Sequence, residues 1–145
     1  MNYRKDRYGK ELSVLGYGCM RLGSRSGAID LDKAEAEIMA AYHAGVNYFD
    51  TAYIYPGNEA ALGKILERTG IRDKIKLATK LPHYLIKSRE QMEKIFQEHL
   101  DRLQTDYIDY YLLHSVKSLE NFNARYVENG MMDFLMKERE AGRIR

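Results

Sequence analysis

At 145 residues the chain has room for one domain with a real hydrophobic core and too little for two ordinary ones. Hydrophobic residues make up 45% and charged residues 30%, and 23 basic against 21 acidic side chains leave a formal charge of +2. That near-balance gives no electrostatic footprint for nucleic acid or a membrane surface, and no apolar run approaches the ~20 residues that span a bilayer.

The polar start, MNYRKDRYGKE, lacks the apolar centre of a signal peptide. Within it, Tyr8-Gly9-Lys10-Glu11 reads as the turn of a small β-hairpin. Val14–Tyr17 is the first candidate strand, followed by a loop through Gly18–Ile29. The loop holds the one cysteine, Cys19, which has no internal disulfide partner and suits a reducing, cytoplasmic setting. Asp32, with Glu35 three residues on, predicts the cap of a helix that buries Ala34, Ile38 and Ala41 and stops at Gly45. Val46–Phe49 is the second strand. Its helix runs from Asn58 to Thr69, with Leu62, Ile65 and Leu66 inward and Gly70 as the stop.

Ile75–Ala78 is the third strand. Ser88 with Gln91 forms a capping box ahead of the most amphipathic segment, in which Met92, Ile95, Phe96, His99, Leu100 and Leu103 recur at helical spacing. Tyr107–Leu113, almost wholly apolar and aromatic, predicts a fourth strand covered on both faces. An irregular segment follows, then a helix from Met131 to Ala141 ended by Gly142. Strand–helix alternation with short loops predicts an α/β domain of about four βα units with parallel strands, preceded by the hairpin. Periodicity leaves open whether the sheet closes as a barrel or stays open and doubly wound. In both, chemistry is built at the carboxyl ends of the strands.

Asp50, Lys80 and His114 each follow an apolar strand at that end, and Tyr55 lies in the loop after Asp50. Taken singly, each has a bland reading: a turn aspartate, a packed tyrosine, a solvated lysine, a satisfied buried histidine. Their joint placement singles them out. Asp50-Thr51-Ala52-Tyr53-Ile54-Tyr55, then Gly57, Glu59 and Leu62-Gly63, resembles a signature of the aldo-keto reductases. Leu77-Ala78-Thr79-Lys80 is similar to the strand that ends in that family's active-site lysine. Leu100-Asp101-Arg102-Leu103 through Asp106–His114, and Gly142-Arg143-Ile144-Arg145, resemble two further family segments in the same order and spacing. Leu15–Leu22 and the helix after Ser88 are similar to the branch whose members often carry a C-terminal iron–sulfur segment. Cys19 alone supplies no such cluster, so the resemblance assigns no metal to this chain.

The resemblance implies the N-terminal half of a TIM (β/α)8 barrel over residues 1–145, a single domain, and NADPH-dependent reduction of a small-molecule aldehyde or ketone. Tyr55 would be the general acid, Lys80 the charge that eases loss of its proton, Asp50 the anchor of Lys80, and His114 the group that orients the substrate oxygen. Cys19, Met20, Arg21 and Asp50 would lie beside the nicotinamide, and Tyr17, Tyr53, His83 and Tyr84 would line the near side of a pocket. Pro56 departs from the family pattern by following the tyrosine directly, where it restricts the backbone. The Gly16, Gly18 and Gly23 set does not have the spacing of a dinucleotide fingerprint, because Arg21 stands where a glycine is needed.

In the resembled family the remaining cofactor contacts, including those for the 2′-phosphate, lie in the second half of the barrel, so weak or no NADPH binding is expected of this chain. The edges of a half barrel would stay unpaired, which leaves open a homodimer, an open sheet that rearranges, or an aggregation-prone species when the chain is alone. Two readings stay open: an oxidoreductase half, or a non-catalytic scaffold or binding module of reductase descent.

Overall fold

Asp6 organises the first turn of the chain. Its carboxylate accepts the backbone N–H groups of Tyr8 at 2.8 Å and Lys10 at 2.9 Å, and Gly9 adopts the positive φ that closes the turn. In a computed structural model that describes every residue except Ser26, this turn joins β1 (Tyr3–Lys5) and β2 (Glu11–Ser13) into the expected antiparallel hairpin. The first strand of the main sheet, β3 (Tyr17–Gly18), starts later than Val14–Tyr17. Val14 and Leu15 are exposed, so nothing draws them into the sheet; Tyr17 packs its ring 5.6 Å from that of Phe49.

The expected loop Gly18–Ile29, in which Ser26 lies outside the described residues, contains a 3-10 turn at Cys19–Arg21. A two-strand ribbon, β4 (Ser24–Arg25) and β5 (Ala28–Ile29), follows it. Helix α1 (Leu31–His43) is capped by Asp30, not Asp32. Asp30 has the extended backbone a cap needs and accepts the Lys33 N–H at 3.1 Å, while Asp32 sits in the first turn and pairs with Arg68. Strand β6 (Tyr48–Asp50) follows, then α2 (Asn58–Thr69), which has the predicted ends; Gly70 turns left-handed and its N–H donates to the Leu66 carbonyl.

Strand β7 (Lys76–Leu81) runs past Ala78, so Lys80 lies within it. Ser88 caps α3 (Arg89–Leu103) by accepting the Gln91 N–H, and the Gln91 side chain accepts the Lys87 N–H at 2.8 Å. Strand β8 (Tyr110–Leu113) is shorter than expected, and all four of its residues are half-buried where full cover was expected. Its position at the edge of the described sheet explains the exposure. Helix α4 (Leu119–Phe122) continues into a π-helical turn at Asn123–Val127, where an irregular segment was expected, and α5 (Met131–Glu140) closes the order.

The four main strands pair in parallel in the order β3-β6-β7-β8, the same as their order in the chain. Sequential order without reversal is the winding of a (β/α)8 barrel, while a doubly wound sheet reverses direction at a switch point. Ile144 extends the sequence of pairings, with a parallel bridge to Ile108 ahead of β8. The chain is thus α/β, with four parallel strands of a barrel wound in succession and the hairpin in front. That hairpin reaches β8 directly, since the Tyr110 hydroxyl donates to Asp6 at 2.5 Å.

Two apolar clusters fill the space between sheet and helices: one around Ile38, Phe49, Leu62 and Leu77, the other around Leu81, Phe96, Ile108 and Phe134. Each such buried side chain contributes roughly 1.5–3 kcal/mol. Helices α2 and α3 approach closely at Gly63. A Cβ there would meet the Arg102 carbonyl oxygen and lie 2.8 Å from the Leu103 carbonyl carbon, so α2 can touch the α3 backbone only through glycine. Gly63→Ala is therefore expected to destabilise the fold by about 1–3 kcal/mol through overpacking, read as a lower midpoint in thermal or urea unfolding. An unchanged midpoint would show that α2 and α3 separate without cost.

Candidate active site

Strand register brings the candidate residues onto one face. Asp50 is in register with Ala78, and Lys80 is in register with Leu112. Residues in register across parallel strands share a face, and so do alternate residues along one strand. Asp50, Ala78, Lys80 and Leu112 therefore line the same side, and His114 is the next position in that alternation. From strand to strand, the candidate residue steps two positions toward the carboxyl end. The opposite face carries Phe49, Leu77, Thr79 and Leu81, all buried beneath the helices.

The Lys80 ammonium donates to Asp50 Oδ2 at 2.5 Å and to the Thr51 carbonyl at 2.8 Å. Both side chains of the pair are largely shielded, at 15% and 29% exposure, so the interaction is less screened than a surface ion pair. The same ammonium stands 5.3 Å from the centre of the Tyr55 ring. Local backbone bonds shape the tyrosine loop: the Tyr55 N–H donates to Ala52, and the Tyr55 carbonyl accepts the Asn58 N–H, each at 3.1 Å. Gly57, with φ of 73°, then turns the chain into α2. Pro56 is exposed between them.

His114 is half-buried, and its imidazole titrates below the ordinary 6.5, first because burial disfavours the charged ring and then because Lys80 repels it; Asp50 opposes both weakly. It is neutral at pH 7. Its Nδ1 is buried and has no partner among the described residues, while its backbone carbonyl accepts the Tyr126 hydroxyl at 2.8 Å. His83 and Tyr84 lie on this side: Tyr84 meets the His114 ring edge-on at 6.3 Å, and His83 packs on both Tyr84 and Tyr126.

Other candidates divide by orientation. Cys19 is wholly buried in the first apolar cluster, and burial, reinforced by the Asp50 charge, pushes its thiol up to about 12. That environment keeps it a protonated packing residue, and only its backbone, whose carbonyl accepts the Asn58 side-chain amide, remains polar. Met20 and Arg21 are exposed on the 3-10 turn just past β3, at the same sheet end as Asp50, which pairs with Gly18. Tyr53 faces α3: its hydroxyl donates to Glu98 at 2.5 Å and the Arg102 guanidinium covers its ring at 4.2 Å. Tyr17 is taken up by Phe49.

Sequence reasoning did not single out Thr51, Thr79, Asn58 or Glu59 for a role around the site. Thr51 supplies a carbonyl to Lys80 and has a buried hydroxyl without a partner among the described residues. Glu59 stood in a quoted motif, but only the fold shows its carboxylate buried against Thr79 and His99.

Sequentially wound parallel strands with an ion-paired lysine and a neutral histidine at their carboxyl ends have the layout of a (β/α)8-barrel enzyme. A family model described as the aldo/keto reductase family matches residues 14–145, and the chain belongs to that family. It is 36% identical over 115 residues to an L-galactose dehydrogenase of Arabidopsis thaliana, covering 75% of this chain and 36% of that protein. It is 34% identical over 140 residues to an aldo-keto reductase of Mycobacterium avium, covering 93% of this chain and 43% of the relative. Among solved structures, an aldo-keto reductase from Bacillus halodurans in its holo form superposes with a TM-score of 0.76 at 31% identity. The match covers 99% of this chain and 48% of that one. An aldo/keto reductase from Brucella melitensis gives 0.72 at 33%, covering 99% of this chain and 51% of that one. The chain thus spans less than half the length of the curated relatives it matches here.

The neutral state of His114 is testable. Its ring proton, followed by NMR, should titrate with a midpoint below 6.5, and Lys80→Met should raise that midpoint by removing the repelling charge. Because the unfolded chain binds this proton at higher pH, acidification through the ordinary histidine range should favour unfolding until the folded-state ring is itself protonated. An identical midpoint in Lys80→Met would show that the ammonium does not act on the ring.

Proposed function

We propose that this chain carries the proton-transfer half of an NADPH-dependent carbonyl reductase site, acting on an aldehyde or ketone. The observation that carries the reading is the Asp50–Lys80 pair held against the Tyr55 ring, on the sheet face where His114 comes next. Tyr55 donates its phenolic proton to the carbonyl oxygen. The Lys80 ammonium stabilises the phenolate left behind, and Asp50 keeps that ammonium in place. Neutral His114 donates a hydrogen bond to the substrate oxygen and fixes its orientation.

Bound NADPH supplies the hydride that adds to the carbonyl carbon. The residues present fit the nicotinamide end: Asp50, Met20 and Arg21 stand at the strand ends, and the Thr51 hydroxyl and His114 Nδ1 are buried polar atoms without partners among the described residues. Cys19 takes part through its backbone only. The contacts that the family resemblance assigns to the rest of the dinucleotide belong to the second half of the family's barrel.

The test is NADPH fluorescence titration of the purified chain, with carbonyl-dependent NADPH oxidation measured at high cofactor concentration. Slow turnover is expected, falling about 100-fold or more in Tyr55→Phe, the size of a general-acid contribution. Silence of the wild-type chain would sink the enzymatic reading and favour the scaffold one.

The same reading includes self-association in a reducing, cytoplasmic environment. Strands β3 and β8 lie at opposite edges of the described sheet, and a groove of about 380 Å3 runs beside β8, lined by Tyr8, Tyr110, Leu113, Met132, Leu135 and Arg139. A second copy related by a two-fold axis along the barrel would set its β3 beside this β8 and complete eight strands. Sedimentation velocity should show a species with the mass of two 16.9 kDa chains. A monodisperse monomer at micromolar concentration would refute this association.

A further inference from the structure

We infer that Glu59 is a positioning residue that ties the Tyr55 loop to the strand bearing Lys80, a role that rests on the reading of those two side chains as partners in proton transfer. Glu59 lies in the first turn of α2, in the same loop-to-helix turn that Tyr55 enters through its bond to Asn58. Its carboxylate is 2% exposed. Oε1 accepts the Thr79 hydroxyl at 2.6 Å and meets His99 Nδ1 at the same distance, and Oε2 lies 3.6 Å from the Arg102 guanidinium.

Thr79 directly precedes Lys80 on β7 and points to the opposite face. The hydroxyl of one residue therefore anchors to Glu59 from beneath the sheet, while the next residue presents its ammonium to Tyr55 above it. Moving α2 relative to β7 would break the Thr79–Glu59 bond and alter the Tyr55–Lys80 separation together.

A buried carboxylate is costly unless partners satisfy it, and those partners here come from two other elements, β7 and α3. Glu59 Oε1 is the shared partner of Thr79 and His99, while Glu59 Oε2, His99 Nε2 and the Tyr111 hydroxyl are buried without hydrogen-bond partners among the described residues. Asn58 works in parallel, since its side chain donates to the Cys19 carbonyl and holds the first loop to the same helical turn. Two neighbouring residues of α2 thus fasten the loops that follow β3 and β6 and the strand that carries Lys80.

The experiment is residue-resolved amide hydrogen exchange on the full chain, comparing wild type with Thr79→Val, which removes the hydroxyl, and Thr79→Ser, which keeps it. Exchange over residues 51–58 and at Lys80 should accelerate about tenfold in Thr79→Val, as for loss of a hydrogen bond to a charged acceptor. It should stay within about twofold in Thr79→Ser and over α5 in every variant. Uniform acceleration across the chain would mean a general stabilising role, and no change over 51–58 would mean no brace; either overturns the inference. If Thr79→Val does not fold, Glu59→Gln is measured against the same criteria. The readout involves no cofactor, so a chain silent in the reductase assay still reports on the brace. Tyr55-dependent turnover with unaltered exchange would reject the brace and leave the reductase reading standing.

Discussion

Parallel register is the constraint on which the site depends. Asp50 opposite Ala78, and Lys80 opposite Leu112, make each candidate residue step two positions along its strand from the one before. An even step preserves the face, because side chains alternate with a period of two; a one-residue slip in either ladder would turn Lys80 or His114 toward the helices. The register is in turn held by what lies on the other face. Phe49, Leu77, Thr79 and Leu81 are buried there, and a slip would expose them while driving Asp50 or Lys80 into an apolar layer.

The helices contribute more than cover. Gly63 lets α2 lie against the backbone of α3 at Arg102 and Leu103, and one turn earlier on each helix Glu59 faces His99. Close approach and buried polar contact are two aspects of one junction, in which the carboxylate and imidazole meet at 2.6 Å. This junction reaches the sheet through Thr79, so a helix–helix contact and the placement of Lys80 are mechanically linked. A junction of this kind costs desolvation and returns fixed geometry.

The electrostatics of the strand ends follow from the same arrangement. One ammonium serves several neighbours: it is paired by Asp50, donates to the Thr51 carbonyl, lies beside the Tyr55 ring, and adds its repulsion to the burial that lowers the His114 titration. Membership of the aldo/keto reductase family agrees with that layout. The chain's coverage of less than half of its curated relatives is in keeping with a sheet in which β3 and β8 both stand at an edge.

Much of this was legible in the amino-acid order. The helix Asn58–Thr69 with its Gly70 stop, the Ser88 cap, the hairpin turn at Gly9 and the four strands in succession all follow from local signals that act within a few residues. So did the choice of Asp50, Tyr55, Lys80 and His114 as candidates, through motifs with specific spacing. What only the tertiary structure decided depends on contacts distant in the chain. Strand limits moved because burial, not composition, ends a strand: Val14 and Leu15 are apolar yet exposed, while Lys80 is charged yet lies inside β7. The cap of α1 moved to Asp30 because the backbone is still extended there and the carboxylate reaches the Lys33 N–H. Cys19 and Tyr53, plausible as site residues by position, are directed into the core and toward α3. The order of the strands separated a barrel from a doubly wound sheet, which periodicity cannot do because both use the same βα unit. Glu59 and His99 read as a motif position and a core position, and only packing three elements together made them one buried pair.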